Sequence, residues 1–105
     1  DGHFASLFPG AANLAEGLAL DSNTDAIATL PDPLPAEAPF ARISLTLPRL
    51  LYAREVHLVV TGDDKRRVLR KAQRDGAESA ALAGHFPVAA LLHAPGHHIR
   101  IHWSP

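Results

Sequence analysis

Glu55-Val56-His57-Leu58-Val59-Val60-Thr61-Gly62-Asp63-Asp64-Lys65 is the stretch that decides the fold class of this 105-residue chain. Glu55 to Val60 is β-branched and mostly apolar, the pattern of a buried strand in a parallel sheet. Thr61-Gly62 supplies a turn. From Asp63 to about Gln73 the period changes: Val68, Leu69 and Ala72 recur at helical spacing. Asp63 and Asp64 stand at the start of that helix and Lys and Arg crowd its later turns, as the helix dipole prefers. A strand that runs through a glycine into a helix is the unit of an α/β fold. Ligands of open α/β sheets bind beyond the carboxyl ends of the strands. A helix N-terminus with Lys65 nearby offers N–H groups and a compact cation to an anion. Taken alone, the stretch reads more readily as an ordinary βα turn with a solvated lysine, and the G-x-x-x-x-G-K loop of nucleotide-binding enzymes is absent.

Working outward, Asp75-Gly76 should stop the helix. Ala77 to Ala83 suits a further helical turn, and Phe86 to Leu92, with Pro87 near its start, a short helix. Ile99 to Trp103 alternates as an edge strand does. On the other side, Arg42-Ile43-Ser44-Leu45-Thr46-Leu47 alternates polar and apolar, a half-buried strand. Pro48 suits the first turn of a helix reaching about Ala53. Pro31-Asp32-Pro33-Leu34-Pro35 excludes helix and central strand, so it reads as an extended surface loop, with a proline-rich partner ligand as the second option. Asp25 to Leu30 is a short candidate strand and Asp21-Ser22-Asn23 a turn. Ala11 to Leu20 has helical composition, against which Gly17 counts. Strand, helix, strand, helix, strand is the order of an α/β fold with a largely parallel sheet flanked by helices.

The composition allows one small domain. A formal net charge of −1 gives no electrostatic footprint for nucleic acid. No apolar run is long enough to span a membrane. The absence of cysteine excludes disulfides, cysteine-ligated zinc and thiol catalysis. The seven histidines (3, 57, 85, 93, 97, 98 and 102) contain no H-E-x-x-H pair, and no metal is expected. His97 and His98 read as solvent-exposed, and His57 and His102 as hydrogen-bonded strand residues.

The chemistry-bearing stretch is Asp1-Gly2-His3-Phe4-Ala5-Ser6-Leu7-Phe8-Pro9. The histidine can take and return a proton near neutral pH. Asp1 can orient the ring or hold a substrate hydroxyl. Gly2 lets the backbone turn sharply and a ligand approach. Ala5 to Phe8 reads as a short buried turn of helix. Three residues D-G-H alone are usually just a loop.

The longer run DGHFASLFPG resembles the D-G-H-T-A-S-L-F-P signature of the 6-phosphogluconolactonases, with Phe4 where that family often has Thr. The turn Thr61-Gly62-Asp63-Asp64-Lys65 is similar to the family's T-G-x-x-K, and RISLTLP (residues 42–48) to its R-[IV]-[ST]-L-T-L-P strand. The resemblance implies a Rossmann-like fold of the sugar-phosphate isomerase/lactonase type, of which residues 1–105 form the C-terminal part of a single domain. It implies hydrolysis of 6-phosphogluconolactone to 6-phosphogluconate, the second step of the oxidative pentose phosphate pathway, in the cytoplasm and without cofactor or metal. The partner would be a small sugar-phosphate lactone, not nucleic acid or membrane. His3 would serve as base and then acid on a directly attacking water, with Asp1, Gly2, Gly62 and Lys65 binding substrate and Lys65 on the phosphate. The 105 residues alone are expected to be inactive. Glucosamine-6-phosphate deaminases share D-G-H and a G-x-x-K turn but continue D-G-H-I-x-F-N-E-P, and this chain lacks the Asn-Glu. A non-catalytic sugar-phosphate-binding module is the third reading.

Overall fold

The stretch from Glu55 to Lys65 folds as a strand followed by a helix. In the computed structural model, which describes residues 1–74 and 85–105, β3 (Val56–Thr61) leads directly into α3 (Asp63–Arg74). Upstream lie α1 (Leu14–Leu18), β1 (Ala26–Thr29), β2 (Arg42–Leu45) and α2 (Leu47–Leu51); downstream lie α4 (Val88–Leu92) and β4 (Ile99–Ser104). The stop at Asp75-Gly76 and the helical turn over Ala77 to Ala83 fall outside the described residues.

β3 pairs in parallel with β4, in a register that sets Val56 opposite Ile99 and Thr61 opposite Ser104. Strand side chains alternate between faces, so Val56, Leu58 and Val60 join Ile99 and Ile101 against the core. The opposite face carries His57, Val59, Thr61, Arg100, His102 and Ser104, all exposed. The strand expected to be buried is therefore covered on one face among the described residues, and Val59 is 73% exposed.

The parallel sheet is this β3–β4 pair; β1 and β2 form a separate antiparallel ladder, Ala26 opposite Leu45 and Thr29 opposite Arg42. The reason lies in their connection. A parallel pair needs a crossover, usually helical, whereas an antiparallel pair needs only a return. Residues 30–41 hold four prolines and form neither helix nor strand.

α1 is shorter than its alanine-rich sequence suggests, and Gly17 is there for packing. A Cβ on Gly17 would stand 2.6 Å from Leu7 Cδ2 and 2.9 Å from Ile27 Cδ1. The segment read as a turn of helix after His3 is instead a tight turn: the Leu7 N–H donates to the Phe4 carbonyl at 3.0 Å, with Ala5 at φ 49°. Leu7 and Phe8 are buried as expected, whereas Ala5 is exposed. Phe4 and Leu7 join Leu14, Ile27, Leu47, Leu51, Leu69, Val88 and Leu91 in one core. Each such side chain contributes about 1.5–3 kcal/mol by leaving water.

Candidate active site

Two anchors hold the loop that carries His3. At Gly2 the backbone turns with φ 73°, and its carbonyl accepts the Val88 N–H at 2.8 Å. A Cβ there would lie 2.9 Å from Phe86 Cδ1 and 3.0 Å from Phe86 Cα. The group that exploits the bare Gly2 backbone is thus Phe86, and the glycine docks the loop onto the start of α4. Beyond His3, the Ser6 N–H donates to Ser44 Oγ at 3.1 Å, and the Ser44 hydroxyl donates to the Leu45 carbonyl at 2.9 Å. β2 therefore holds the far end of the loop.

Between the anchors, Asp1 Oδ1 lies 2.7 Å from His3 Nδ1 and also accepts the His3 backbone N–H at 3.1 Å. A carboxylate only accepts, so the Nδ1 of His3 carries the proton. The neutral ring then presents Nε2 with a free lone pair, the form a general base needs. Burial lowers the His3 pKa below the usual imidazole value, helped by the positive charges of Arg42 and Lys65. The Asp1 carboxylate opposes these by favouring the protonated ring. The imidazole stacks on Phe8, ring centres 4.2 Å apart and 20° from parallel, and the Arg42 guanidinium lies 4.7 Å from the centre of the same phenyl ring.

His3 faces a cleft of about 420 Å³. Asp1, Gly2 and His3 line one side, Asp64 and Lys65 project from the first turn of α3, and Leu58, Val68, Leu69 and Val88 supply apolar wall. Asp64 is bonded to Arg67, whereas Lys65 is exposed and pairs with no carboxylate among the described residues. The fold thus brings Asp1, Gly2, His3 and Lys65 together from segments some sixty residues apart. A larger hollow of about 660 Å³ between α1 and α4 is lined mainly by Ala, Leu and Gly, and its one histidine, His93, donates Nε2–H to the Ala72 carbonyl at 2.8 Å. It offers no chemistry.

Gly62 is not brought to the cleft. Gly62, expected among the substrate-binding residues, has its N–H donating to the Ser104 carbonyl at 2.9 Å and its own carbonyl accepting the Trp103 Nε1–H at 2.9 Å. Its φ of 89° shows what the glycine does: it permits the strand-to-helix turn. Trp103 was not singled out by its sequence context, yet it clamps this turn, with the Arg66 guanidinium 4.1 Å from its ring centre. Phe8, Arg42 and Ser44 likewise escaped a role. Arg42 and Ser44 share a strand face, but nothing local says that this face meets the His3 loop.

The remaining histidines stand apart. His57 Nε2 lies 3.2 Å from Glu55 Oε2, which makes that nitrogen the donor, so its Nδ1 accepts from His102 Nε2 at 2.9 Å. These are hydrogen-bonded strand residues, and His97 and His98 are exposed. Among the described residues no three His, Cys, Asp or Glu are grouped to hold a metal ion, and no helix is long and apolar enough to cross a membrane.

Known proteins share this fold. A family model described as glucosamine-6-phosphate isomerases/6-phosphogluconolactonase matches residues 1–103. A 6-phosphogluconolactonase of Caulobacter vibrioides is 41% identical over 105 residues, covering 99% of this chain and 40% of that protein. One from Pseudomonas putida is 37% identical, covering 100% of this chain and 38% of that protein. The crystal structure of a 6-phosphogluconolactonase from Shewanella baltica superimposes with a TM-score of 0.80 at 28% identity, over 100% of this chain and 40% of that one. The chain therefore spans about 40% of the length of these relatives. The match runs through both the Asp1–His3 loop and the Gly62–Lys65 turn, and the chain belongs to the glucosamine-6-phosphate isomerase/6-phosphogluconolactonase family.

Proposed function

We propose that residues 1–105 form the C-terminal part of a single lactonase domain, and that the intact protein hydrolyses 6-phosphogluconolactone to 6-phosphogluconate in the cytoplasm. The observation that carries this reading is the Asp1–His3 pair, 2.7 Å apart at the mouth of a cleft that also holds Lys65.

A lactone is an internal ester. Water attacks its carbonyl carbon, His3 Nε2 takes the water's proton, and a C–O bond forms. The imidazolium then returns that proton to the ring oxygen as the old C–O bond breaks and the ring opens to the free acid. Asp1 keeps the proton on Nδ1, so Nε2 is available for the first transfer. Burial, helped by the charges of Arg42 and Lys65, lowers the His3 pKa and so favours the neutral ring. Lys65, exposed at the start of α3, meets the substrate phosphate and anchors the sugar by a handle that does not react. Gly2 shapes the loop under the lactone.

The deaminase reading finds no support in this geometry. Its Asn-Glu would fall on Leu7 and Phe8, which are 1% and 5% exposed. A binding module without turnover is separated by assay. Acid release from the phosphorylated lactone, above the spontaneous rate, is measured for the intact protein and its His3→Ala variant. The variant should lose roughly 10²–10⁴-fold in kcat, the usual worth of general acid–base catalysis. Near-normal turnover in the variant would end the assignment.

A further inference from the structure

Phe8 is buried, yet it does not belong to the main hydrophobic core. Two polar groups lie against its ring: the His3 imidazole, stacked at 4.2 Å, and the Arg42 guanidinium at 4.7 Å. Arg42 sits at the start of β2 and is itself half-buried. It forms no ion pair with a carboxylate among the described residues, and its guanidinium donates to the Ala38 carbonyl at 2.7 Å. That bond and the aromatic ring together fix the position of the planar cation. Two residues further along the same strand face, buried Ser44 receives the Ser6 N–H. Arg42 does not line the cleft that His3 faces; it stands behind the phenyl ring.

We propose that Arg42 is a positioning residue for His3: through Phe8 it fixes the plane of the imidazole from behind, and it does not touch substrate. This deepens the lactonase reading and rests on it for the role of His3, but the stack itself does not. A guanidinium over an aromatic face is held by the negative charge of the ring face, and a planar cation does this better than a point charge. β2 thereby becomes the back wall of the site, Ser44 fixing the loop and Arg42 the ring.

The groups that face His3 are the Asp1 carboxylate on its own loop, Arg42 from β2, and Asp64 and Lys65 from α3; α4 brings the apolar Val88. Removing the Arg42 charge must therefore raise the imidazole pKa, since a like charge is lost.

The test uses Arg42→Met and Arg42→Lys in the intact protein. Two readouts are followed: the pH profile of lactone hydrolysis, and the titration of the His3 ring protons by NMR without substrate. Arg42→Met should lower kcat by roughly 2- to 30-fold, the worth of an arginine–aromatic contact, with KM unchanged. It should also move the acid limb of the profile, and the NMR titration, to higher pH. Arg42→Lys should keep the titration in place, because the charge remains, and recover part of kcat. A rise in KM with unchanged kcat would mean that Arg42 grips substrate, and would overturn the proposal. So would a His3 titration that Arg42→Met leaves unmoved. The NMR result does not depend on the reaction: if His3→Ala hydrolyses the lactone normally while Arg42→Met still shifts the ring titration, the functional reading fails and the stack stands.

Discussion

Replacing Asp1 by Asn and by Ala separates two things the carboxylate does for His3. Asp1 Oδ1 accepts both the His3 backbone N–H at 3.1 Å and the ring Nδ1–H at 2.7 Å. A backbone N–H can only donate, so in Asp1→Asn the amide oxygen must stay where that carboxylate oxygen was. The amide NH₂ is held away from Nδ1, and the tautomer with a free Nε2 survives. What is lost is the charge. A charge-assisted hydrogen bond is worth about 1.5–3 kcal/mol, against about 0.5–1.5 kcal/mol for a neutral one, so the difference is roughly 1 kcal/mol. The Asp1 side chain is 53% exposed, and screening keeps the figure from exceeding this. Asp1→Asn should therefore lower kcat by about 5-fold, far from the ~10⁴-fold that follows when a buried catalytic aspartate becomes asparagine and the tautomer inverts.

Asp1→Ala removes the acceptor altogether. The ring is free to rotate and to carry its proton on Nε2, and the whole bond is lost, about 1.5–3 kcal/mol or roughly 10- to 150-fold in kcat. Both variants remove an anion beside the imidazole, so both should lower its pKa and move the acid limb of kcat/KM to lower pH. The assay is steady-state hydrolysis of the phosphorylated lactone by the intact protein across the acid range. Equal losses in the two variants would refute the tautomer reasoning. An acid limb that moves to higher pH would refute the electrostatic reasoning.

Lys65→Ala should raise KM for the phosphorylated lactone by about 10-fold at low salt, less at high salt because Lys65 is exposed, and barely change hydrolysis of an unphosphorylated lactone. The same variant removes a positive charge that lowers the His3 pKa, so its acid limb should move to higher pH, opposite to Asp1→Asn. Gly2→Ala should destabilise the intact protein by about 2–5 kcal/mol in urea unfolding, from positive φ and the clash with Phe86 together. Gly62→Ala, with a similar φ but open space around the new Cβ, should lose only about 1–2 kcal/mol, and equal losses for the two would contradict the packing assigned to Gly2.

The parts of the fold that were legible are those fixed by short-range physics. β3 and α3 follow from a change of period across one glycine, and both form within a residue or two of the expected bounds. Pro48 opens α2, and the prolines of residues 31–35 leave the chain irregular, as ring geometry requires. The pairing of β1 with β2 was not legible, because Asp25–Leu30 and Arg42–Leu47 would look the same in either orientation. Nor was the exposed face of β3. Val56 to Val60 is apolar nearly throughout, and periodicity cannot tell a strand covered on both faces from one covered on one.

The site divides in the same way. Asp1 and His3 are two residues apart, so one turn at Gly2 can bring their side chains into contact, and residue type announces the chemistry. Lys65 was legible only as a possibility, since a lysine in the first turn of a helix is usually just solvated. Its place in the cleft depends on the fold bringing that turn to His3, across about sixty residues. Gly62 lies off the cleft for a related reason. A glycine at a βα turn offers its N–H to a ligand only if no neighbouring strand claims it, and here β4 does, through Ser104. The support behind His3 lay furthest from view. Phe8 is an ordinary apolar residue in sequence, and Arg42 an ordinary end to a strand, yet the contact between them spans 34 residues and places a cation against the ring on which His3 stacks. Catalytic groups are chosen for what they are, and sequence displays that directly. The residues that hold them are chosen for where the fold puts them, so Arg42 and Phe8 could be found only once β2 was seen to lie against the loop.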